Sequence, residues 1–149
     1  MDKSHRAIRF TLGLIYFHFG LLKFFSDLSP AEVLAELTIT ELSLHFISAT
    51  TAIFLLAILE VVIGVGFFFN IKPKWVLYLF LFHMAGTFIP LFVVPQFVFK
   101  IAPFAPTIEG QYILKNIVYV AVGLTILYPQ VKTEKVIKEK KKEETLEAA

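Results

Sequence analysis

Four long apolar segments dominate the sequence, at about residues 6–25, 44–69, 75–94 and 111–128. Each is close to the ~20 residues that a helix rising 1.5 Å per residue needs to cross a ~30 Å hydrocarbon layer. Their continuous apolar character argues against barrel strands, in which polar and apolar residues alternate. The sequence therefore predicts an all-α integral membrane protein, a four-helix bundle over residues 1–128 followed by a charged tail over residues 129–149.

Basic residues lie on one side of the predicted membrane. They precede the first span, occupy the turn between the second and third spans, and follow the fourth: Lys3, Arg6, Arg9, Lys72, Lys74, Lys132, Lys135, Lys138, Lys140, Lys141 and Lys142. Because basic loops stay on the cytoplasmic side, both termini and the turn between the second and third spans are predicted in the cytoplasm. The tail is predicted to be a solvated helix or disordered, with binding of anionic lipid as an alternative role.

Both outer loops carry signals of local structure. Ser29, Pro30 and Glu32 form a capping-box pattern with proline at the first helical position, which predicts a short extra helix in the first outer loop. Thr38 with Glu41 offers a second cap, leading into the second span. The second outer loop holds four prolines, which oppose a regular helix, and four phenylalanines: Pro90, Pro95, Pro103, Pro106, Phe92, Phe97, Phe99 and Phe104. We expect this loop to fold over the outer mouth of the bundle as a lid.

Five ionisable residues fall within the predicted spans, namely His18, Lys23, Glu60, His83 and Lys115. An ionised group in the hydrocarbon costs ~2.5 to 3.5 kcal/mol on insertion scales, so each residue needs an explanation. Counting from the centre of each span puts Glu60 and His83 within about one helical turn of the midplane. These two residues are therefore predicted partners, while Lys23 and Lys115 lie in the outer half.

Helix periodicity places each polar group on a face with small residues. The faces are Gly13, Gly20 and Lys23; Ala57, Glu60 and Gly64; His83, Gly86 and Thr87; and Tyr112, Lys115, Asn116, Tyr119 and Gly123. Small residues let helices approach closely, so these faces are predicted to meet in the bundle interior. His18 lies roughly 140° from Lys23 on the helix and is not expected to join them.

Purely structural readings remain open for the same residues. Lys23 can extend to the outer headgroups and neutralise Asp27, and Lys115 can pair with Glu109. Glu60 can form a structural ion pair with a lysine. His18 fits an interhelical hydrogen bond. The remaining large aromatic residues fit interfacial or packing roles: Tyr16, Tyr78, Tyr128 and Trp75.

Three segments resemble the patterns of a known family. They are residues 20–25 (GLLKFF), 59–64 (LEVVIG) and 106–116 (PTIEGQYILKN). In this order they resemble DoxX-like membrane proteins, specifically the branch that includes YkgB and RclC, over about residues 9–128. The resemblance implies four spans with Lys23, Glu60 and Lys115 as recurring positions. DoxX-like proteins are similar to the membrane subunit of thiosulfate:quinone oxidoreductase, and some are linked to oxidative-stress defence.

The leading hypothesis is a quinone-interacting or redox accessory subunit. Glu60 and His83 would relay protons as the catalytic pair. Lys23 and Lys115, together with Asn116 and Tyr119, would hold a quinone carbonyl or a small anion. The chain contains no cysteine, and no metal site or nucleic-acid patch is predicted, so electrons would come from a redox partner protein.

Three other functions compete with this hypothesis. A transporter of small solutes or protons would use the same buried charges. A non-enzymatic structural or stress-response subunit would use them only to hold the helices together. Haem bound by His18 and His83 is the least favoured alternative.

Overall fold

The computed structural model describes residues 3–25, 28–29, 32–44 and 46–147. Over these residues the chain forms seven helices and one two-stranded hairpin: α1 (Lys3–Leu22), α2 (Glu32–Leu42), α3 (Ala49–Phe69), α4 (Pro73–Phe88), α5 (Pro90–Val93), α6 (Pro95–Val98), β1 (Phe99–Ile101), β2 (Ala105–Pro106) and α7 (Ile108–Glu147). The all-α class is confirmed, and α2 is the predicted short helix of the first outer loop. The proline of its predicted capping box, Pro30, lies outside the described residues.

Three helical segments in the described part of the chain are long and apolar enough to cross a membrane: Ala49–Phe69, Pro73–Val93 and Ile108–Leu146. The fourth long helix, α1, is less apolar because Arg6, Arg9 and His18 fall within it. By length and hydropathy, three of the four predicted spans are confirmed as candidate membrane helices, and α1 is not among them. The fold is an all-α membrane bundle, and the crossing of the membrane by α1 stays a prediction.

α1 and α3 pack antiparallel at very short range. A Cβ atom on Gly20 would lie 2.9 Å from Glu60 Cβ, and one on Gly64 would lie 2.6 Å from the backbone nitrogen of Phe17. Only glycine permits this approach without a shift of the helices. The small-residue faces predicted for these two helices therefore do meet, and they bring the end of α1 beside the middle of α3.

The turn between α3 and α4 reverses the chain within three residues. Asn70 caps α3 in the left-handed conformation, with φ of 53°, and its N–H donates to the Gly66 carbonyl. Lys72 has φ of 43°, and Pro73 opens α4, where the missing N–H of proline costs nothing. This tight turn lets α4 pack back along α3.

The buried core joins α1, α3, α4 and α7. It contains ten side chains: Leu12, Tyr16, Ile63, Phe67, Val76, Leu77, Phe80, Met84, Ile126 and Leu127. Phe80 is fully buried, with its ring centroid 5.6 Å from that of Phe67 and 5.7 Å from that of Tyr16. Aromatic edge contacts of this kind add to the packing energy of the bundle.

Two element boundaries differ from the sequence prediction. The second span does not begin near Leu44 with a cap at Thr38, because Thr38 lies inside α2 and donates to the Leu34 carbonyl. Instead Ser48 caps α3 by accepting from the N–H of Thr51. At the other end, α7 does not stop near Tyr128 but continues through Pro129 to Glu147, so the charged tail is an extension of the last helix.

The segment after α4 is folded rather than irregular. Its prolines begin single helical turns at Pro90 and Pro95, and a hairpin that the sequence did not indicate follows them. Val94 and Val98 are buried. Thr107 closes the segment by donating its backbone N–H to the Val98 carbonyl at 2.8 Å. The segment packs against α2 and α7. Its role as a lid over the outer mouth stays a prediction.

Candidate functional site

Glu60 occupies the middle of α3 on its buried face. The buried stripe of this helix runs through Ile53, Ala57, Glu60, Gly64 and Phe67 at helical spacing. The Glu60 side chain is 9% exposed. A carboxylate at this depth cannot extend to water, so its partners must lie on the neighbouring helices.

Lys23 is the first partner of Glu60. It lies one residue beyond the end of α1, and its ammonium Nζ is 2.7 Å from Glu60 Oε2. The Lys23 side chain is only 6% exposed, so it points inward along the bundle rather than out to the headgroups. A pair this short and this shielded is a charge-assisted hydrogen bond. Asp27, the alternative partner suggested by the sequence, lies outside the described residues.

His83 of α4 is the second partner, as predicted from its depth. Its Nε2 lies 3.0 Å from Glu60 Oε1, and its Nδ1 lies 3.2 Å from the hydroxyl oxygen of Tyr16. An ionised carboxylate only accepts, so we assign the proton to Nε2, which donates to Glu60. Nδ1 of the neutral ring then accepts from the Tyr16 hydroxyl.

Lys23, Glu60, His83 and Tyr16 thus form one hydrogen-bonded series, here called the polar chain. It ends at Tyr16 on α1 and begins at Lys23, directly after that helix, seven residues further along the chain. Three helices contribute to it, and each of its members is buried in at least its side chain. The polar chain ties α1, α3 and α4 together through buried polar side chains.

The sequence does not indicate Tyr16 as part of the site, because this residue fits an interfacial or packing role. Its hydroxyl nevertheless contacts His83 Nδ1, and the residue is 5% exposed. Helical spacing does place Tyr16 on the inward face of α1, because it lies three residues after Gly13 and four before Gly20, on the same face as Lys23. A tyrosine in the middle of a glycine-lined face has no route to the interface and needs an internal partner.

The three predicted ligand-binding residues of α7 do not join the polar chain. Lys115 is exposed, and its Nζ lies 5.3 Å from the centroid of the Tyr112 ring. Asn116 is half-buried, while Tyr119 is half-buried against the aliphatic and aromatic core. The expectation that Lys115 points into the bundle beside Lys23 is therefore wrong.

His18 does not join the polar chain, as its position on the helix predicted. The side chain is exposed rather than interior, and its ring packs edge-on against Phe19. His83 uses both ring nitrogens in hydrogen bonds within the bundle. The two histidines therefore do not form the ligand pair that the haem alternative requires.

Two surface clefts lie near the turn between α3 and α4. One of about 290 Å³ is lined mainly by apolar residues of α3 and α4, including Trp75. The other, of about 430 Å³, lies between α4 and the extension of α7. Neither is lined by a member of the polar chain, which is enclosed by the packing of the helices around it.

The fold and this site define a class, namely small helical membrane proteins with a buried network of ionisable groups. A family model described as DoxX matches residues 6–95, and the chain belongs to the DoxX family. The matched region contains the whole polar chain but ends before Lys115, Asn116 and Tyr119. No curated protein and no solved structure matched the chain.

Proposed function

We propose that the protein is a quinone-interacting redox accessory subunit of the bacterial cytoplasmic membrane, in which the polar chain handles protons. The observation that carries the proposal is the continuous series from Lys23 through Glu60 and His83 to Tyr16, with successive heavy atoms 2.7, 3.0 and 3.2 Å apart. Hydrogen-bonded groups of alternating donor and acceptor character are what a proton needs to move between sites.

Reduction of a quinone consumes two electrons and two protons. The described side chains supply proton donors and acceptors, so in this proposal the electrons come from a separate redox protein. His83 can exchange its Nε2 proton with Glu60, while Tyr16 keeps its hydroxyl proton and holds Nδ1 by donating a hydrogen bond to it. Lys23, at the outer end of α1, is the member best placed to donate a hydrogen bond to a quinone carbonyl. Lys115, Asn116 and Tyr119 would contribute only from the separate surface of α7.

The arrangement of basic residues supports the proposed orientation. The first half of α1 packs beside the end of α3, since the Phe10 and Phe68 ring centroids are 5.1 Å apart. Lys74 and the α7 extension line the same cleft. The N-terminal end of α1, the α3–α4 turn and the C-terminal extension therefore share one end of the bundle, which the positive-inside rule assigns to the cytoplasm.

Equilibrium binding of a short-chain ubiquinone or menaquinone analogue to the purified full chain tests the proposal. We expect wild-type protein to bind the quinone and Lys23→Gln to weaken binding at least tenfold. Lys100→Gln is the matched control, because Lys100 is an exposed lysine of β1. This variant should bind the quinone as tightly as the wild-type protein. Lack of quinone binding by folded wild-type protein, or equal loss in both variants, would contradict the proposal.

A purely structural role is the second candidate, and one observation favours it. Each ionisable member of the polar chain already has a partner inside the bundle, and the Glu60 and His83 side chains are no more than 9% exposed. If the chain is only structural, Lys23→Gln and His83→Gln lower thermal stability without changing quinone content. A transporter role has less support, because the polar chain ends at Tyr16 against the rings of Phe67 and Phe80.

A further inference from the structure

The cleft between α4 and the extension of α7 has no part in the proposed redox role. It measures about 430 Å³, and its walls include Lys74 and Tyr78 from α4 and Lys135, Lys138 and Lys142 from α7. A space of this size accommodates a small polar group rather than a single water molecule. The concentration of lysines around it points to an anion.

The lysines of α7 reach this cleft because of their spacing. Lys135, Lys138 and Lys142 follow the i, i+3, i+7 pattern and share the helix face that looks towards α4. Lys140 and Lys141 lie between them in sequence but are not among the residues that line the cleft. The extension therefore has a cleft-lining set of lysines and a second set on its other faces.

Acidic residues only partly neutralise this cleft. Glu134 and Glu139 also line it, and Glu139 Oε1 lies 3.8 Å from Lys135 Nζ with both side chains well exposed. Exposed pairs of this kind are weak and exchange partners readily. The lysines of the lining outnumber the glutamates, so the cleft remains positive.

The position of the cleft identifies the source of the anion. Tyr78 lines it, and the Tyr78 ring centroid is 6.5 Å from that of Trp75, an exposed indole at the start of α4. Tryptophan and tyrosine at the ends of apolar helices lie at the level of the lipid headgroups. Lys74, whose Nζ is 5.9 Å from the Tyr78 ring centroid, is at the same level.

We propose that this cleft binds the phosphate of an anionic phospholipid headgroup. Lys74 would bind it from α4, and Lys138 and Lys142 from α7, with the ring of Tyr78 and the half-buried Val131 facing the glycerol and the first acyl carbons. Ammonium groups bind phosphate oxygens through charge-assisted hydrogen bonds. The lipid would also fasten the α7 extension to the bundle at the membrane surface.

Trp75 provides a direct test, because it is the only tryptophan of the chain. Full-length protein is reconstituted in phosphatidylcholine bilayers that contain an increasing share of brominated phosphatidylglycerol, and quenching of Trp75 fluorescence is compared with that by brominated phosphatidylcholine. We expect a several-fold preference for phosphatidylglycerol. Lys138→Gln with Lys142→Gln should abolish this preference, because each substitution removes a cation that contributes roughly fivefold to the affinity for an anionic lipid.

Lys140→Gln with Lys141→Gln is the matched control, since it removes the same charge from neighbouring positions that do not line the cleft. This variant should keep most of the wild-type preference. Equal quenching by the two lipids in wild-type protein would overturn the proposal, as would equal losses in the two double variants. Binding of inorganic phosphate by reconstituted protein that shows no preference for phosphatidylglycerol would identify free phosphate as the ligand and would also overturn the proposal.

Discussion

Lys23 and Glu60 lie 37 positions apart in the sequence, yet Lys23 Nζ and Glu60 Oε2 are 2.7 Å apart inside the bundle. Such a pair is costly to dehydrate, and it persists because each charge stabilises the other. Removal of one partner leaves an isolated charge or an unsatisfied polar group in the membrane interior. The stability of the bundle should therefore depend on both residues together.

Glu60→Gln should lower the free energy of unfolding by about 3 to 5 kcal/mol, since it leaves the Lys23 ammonium buried without a counter-charge. Reversible unfolding in mixed detergent micelles measures this quantity. Glu139→Gln is a control with the same change at an exposed pair, where the expected loss is below about 1 kcal/mol. Similar losses at both positions would show that Glu60 is not buried as described.

Lys23→Gln and Lys115→Gln should differ, although the sequence assigned the two lysines the same role. Lys23 has a 6% exposed side chain bound to Glu60, whereas Lys115 is exposed beside the Tyr112 ring. The first change should cost several kcal/mol and the second about 1 kcal/mol or less. Thermal unfolding of the two variants in the same detergent makes the comparison, and equal losses would place Lys115 inside the bundle after all.

Gly64→Ala should destabilise the protein strongly, because the added Cβ would meet the backbone of Phe17 at 2.6 Å and push α1 away from α3. Gly86→Ala is the natural comparison, since a Cβ at that position has no neighbour within 4 Å. Alanine is the better helix former by about 1 kcal/mol, so Gly86→Ala should be neutral or mildly stabilising. The stabilities of both variants come from the same unfolding titration, and a neutral Gly64→Ala would rule out the close packing of α1 and α3.

The tautomer of His83 can be read by ¹⁵N NMR. The network assigns the proton to Nε2, with Nδ1 accepting from the Tyr16 hydroxyl. Tyr16→Phe should leave the Nε2–H bond to Glu60 in place while the Nδ1 resonance shifts. Tyr112→Phe, at an exposed tyrosine, should leave both resonances unchanged. A proton on Nδ1 of neutral His83 in the wild-type protein would contradict the assigned direction of the bonds.

Much of the polar chain could be predicted from depth and helix facing. The sequence predicts Glu60 and His83 as partners because both lie near the middle of apolar helices, and helix periodicity puts Lys23 on the same face as Gly13 and Gly20. Tyr16 lies on that face too, but its apolar ring fits a packing role equally well. Its hydrogen bond to His83 depends on the distance between α1 and α4, and this distance cannot be derived from the periodicity of the sequence.

Helix periodicity predicted the wrong orientation for Lys115. The residues Tyr112, Lys115, Asn116, Tyr119 and Gly123 share one face of α7, but Lys115 lies at its edge, and the buried side of the helix, marked by Ile113, Gly123 and Leu127, is rotated away from Lys115. Lys115 is two residues after Ile113, or about 200° around the helix. On an amphipathic soluble helix a polar stripe would have revealed this, but a membrane helix is apolar on all sides and offers little contrast.

Hydrogen bonds join Tyr16, His83 and Glu60 into one connected unit, on which the proposed function depends. A double-mutant cycle between Tyr16→Phe and Glu60→Gln measures this, because the two side chains are linked through His83. We predict a coupling energy of about 0.5 to 3 kcal/mol in the free energy of unfolding. Additivity within about 0.3 kcal/mol would contradict the account, since it would show that no continuous chain joins the two residues.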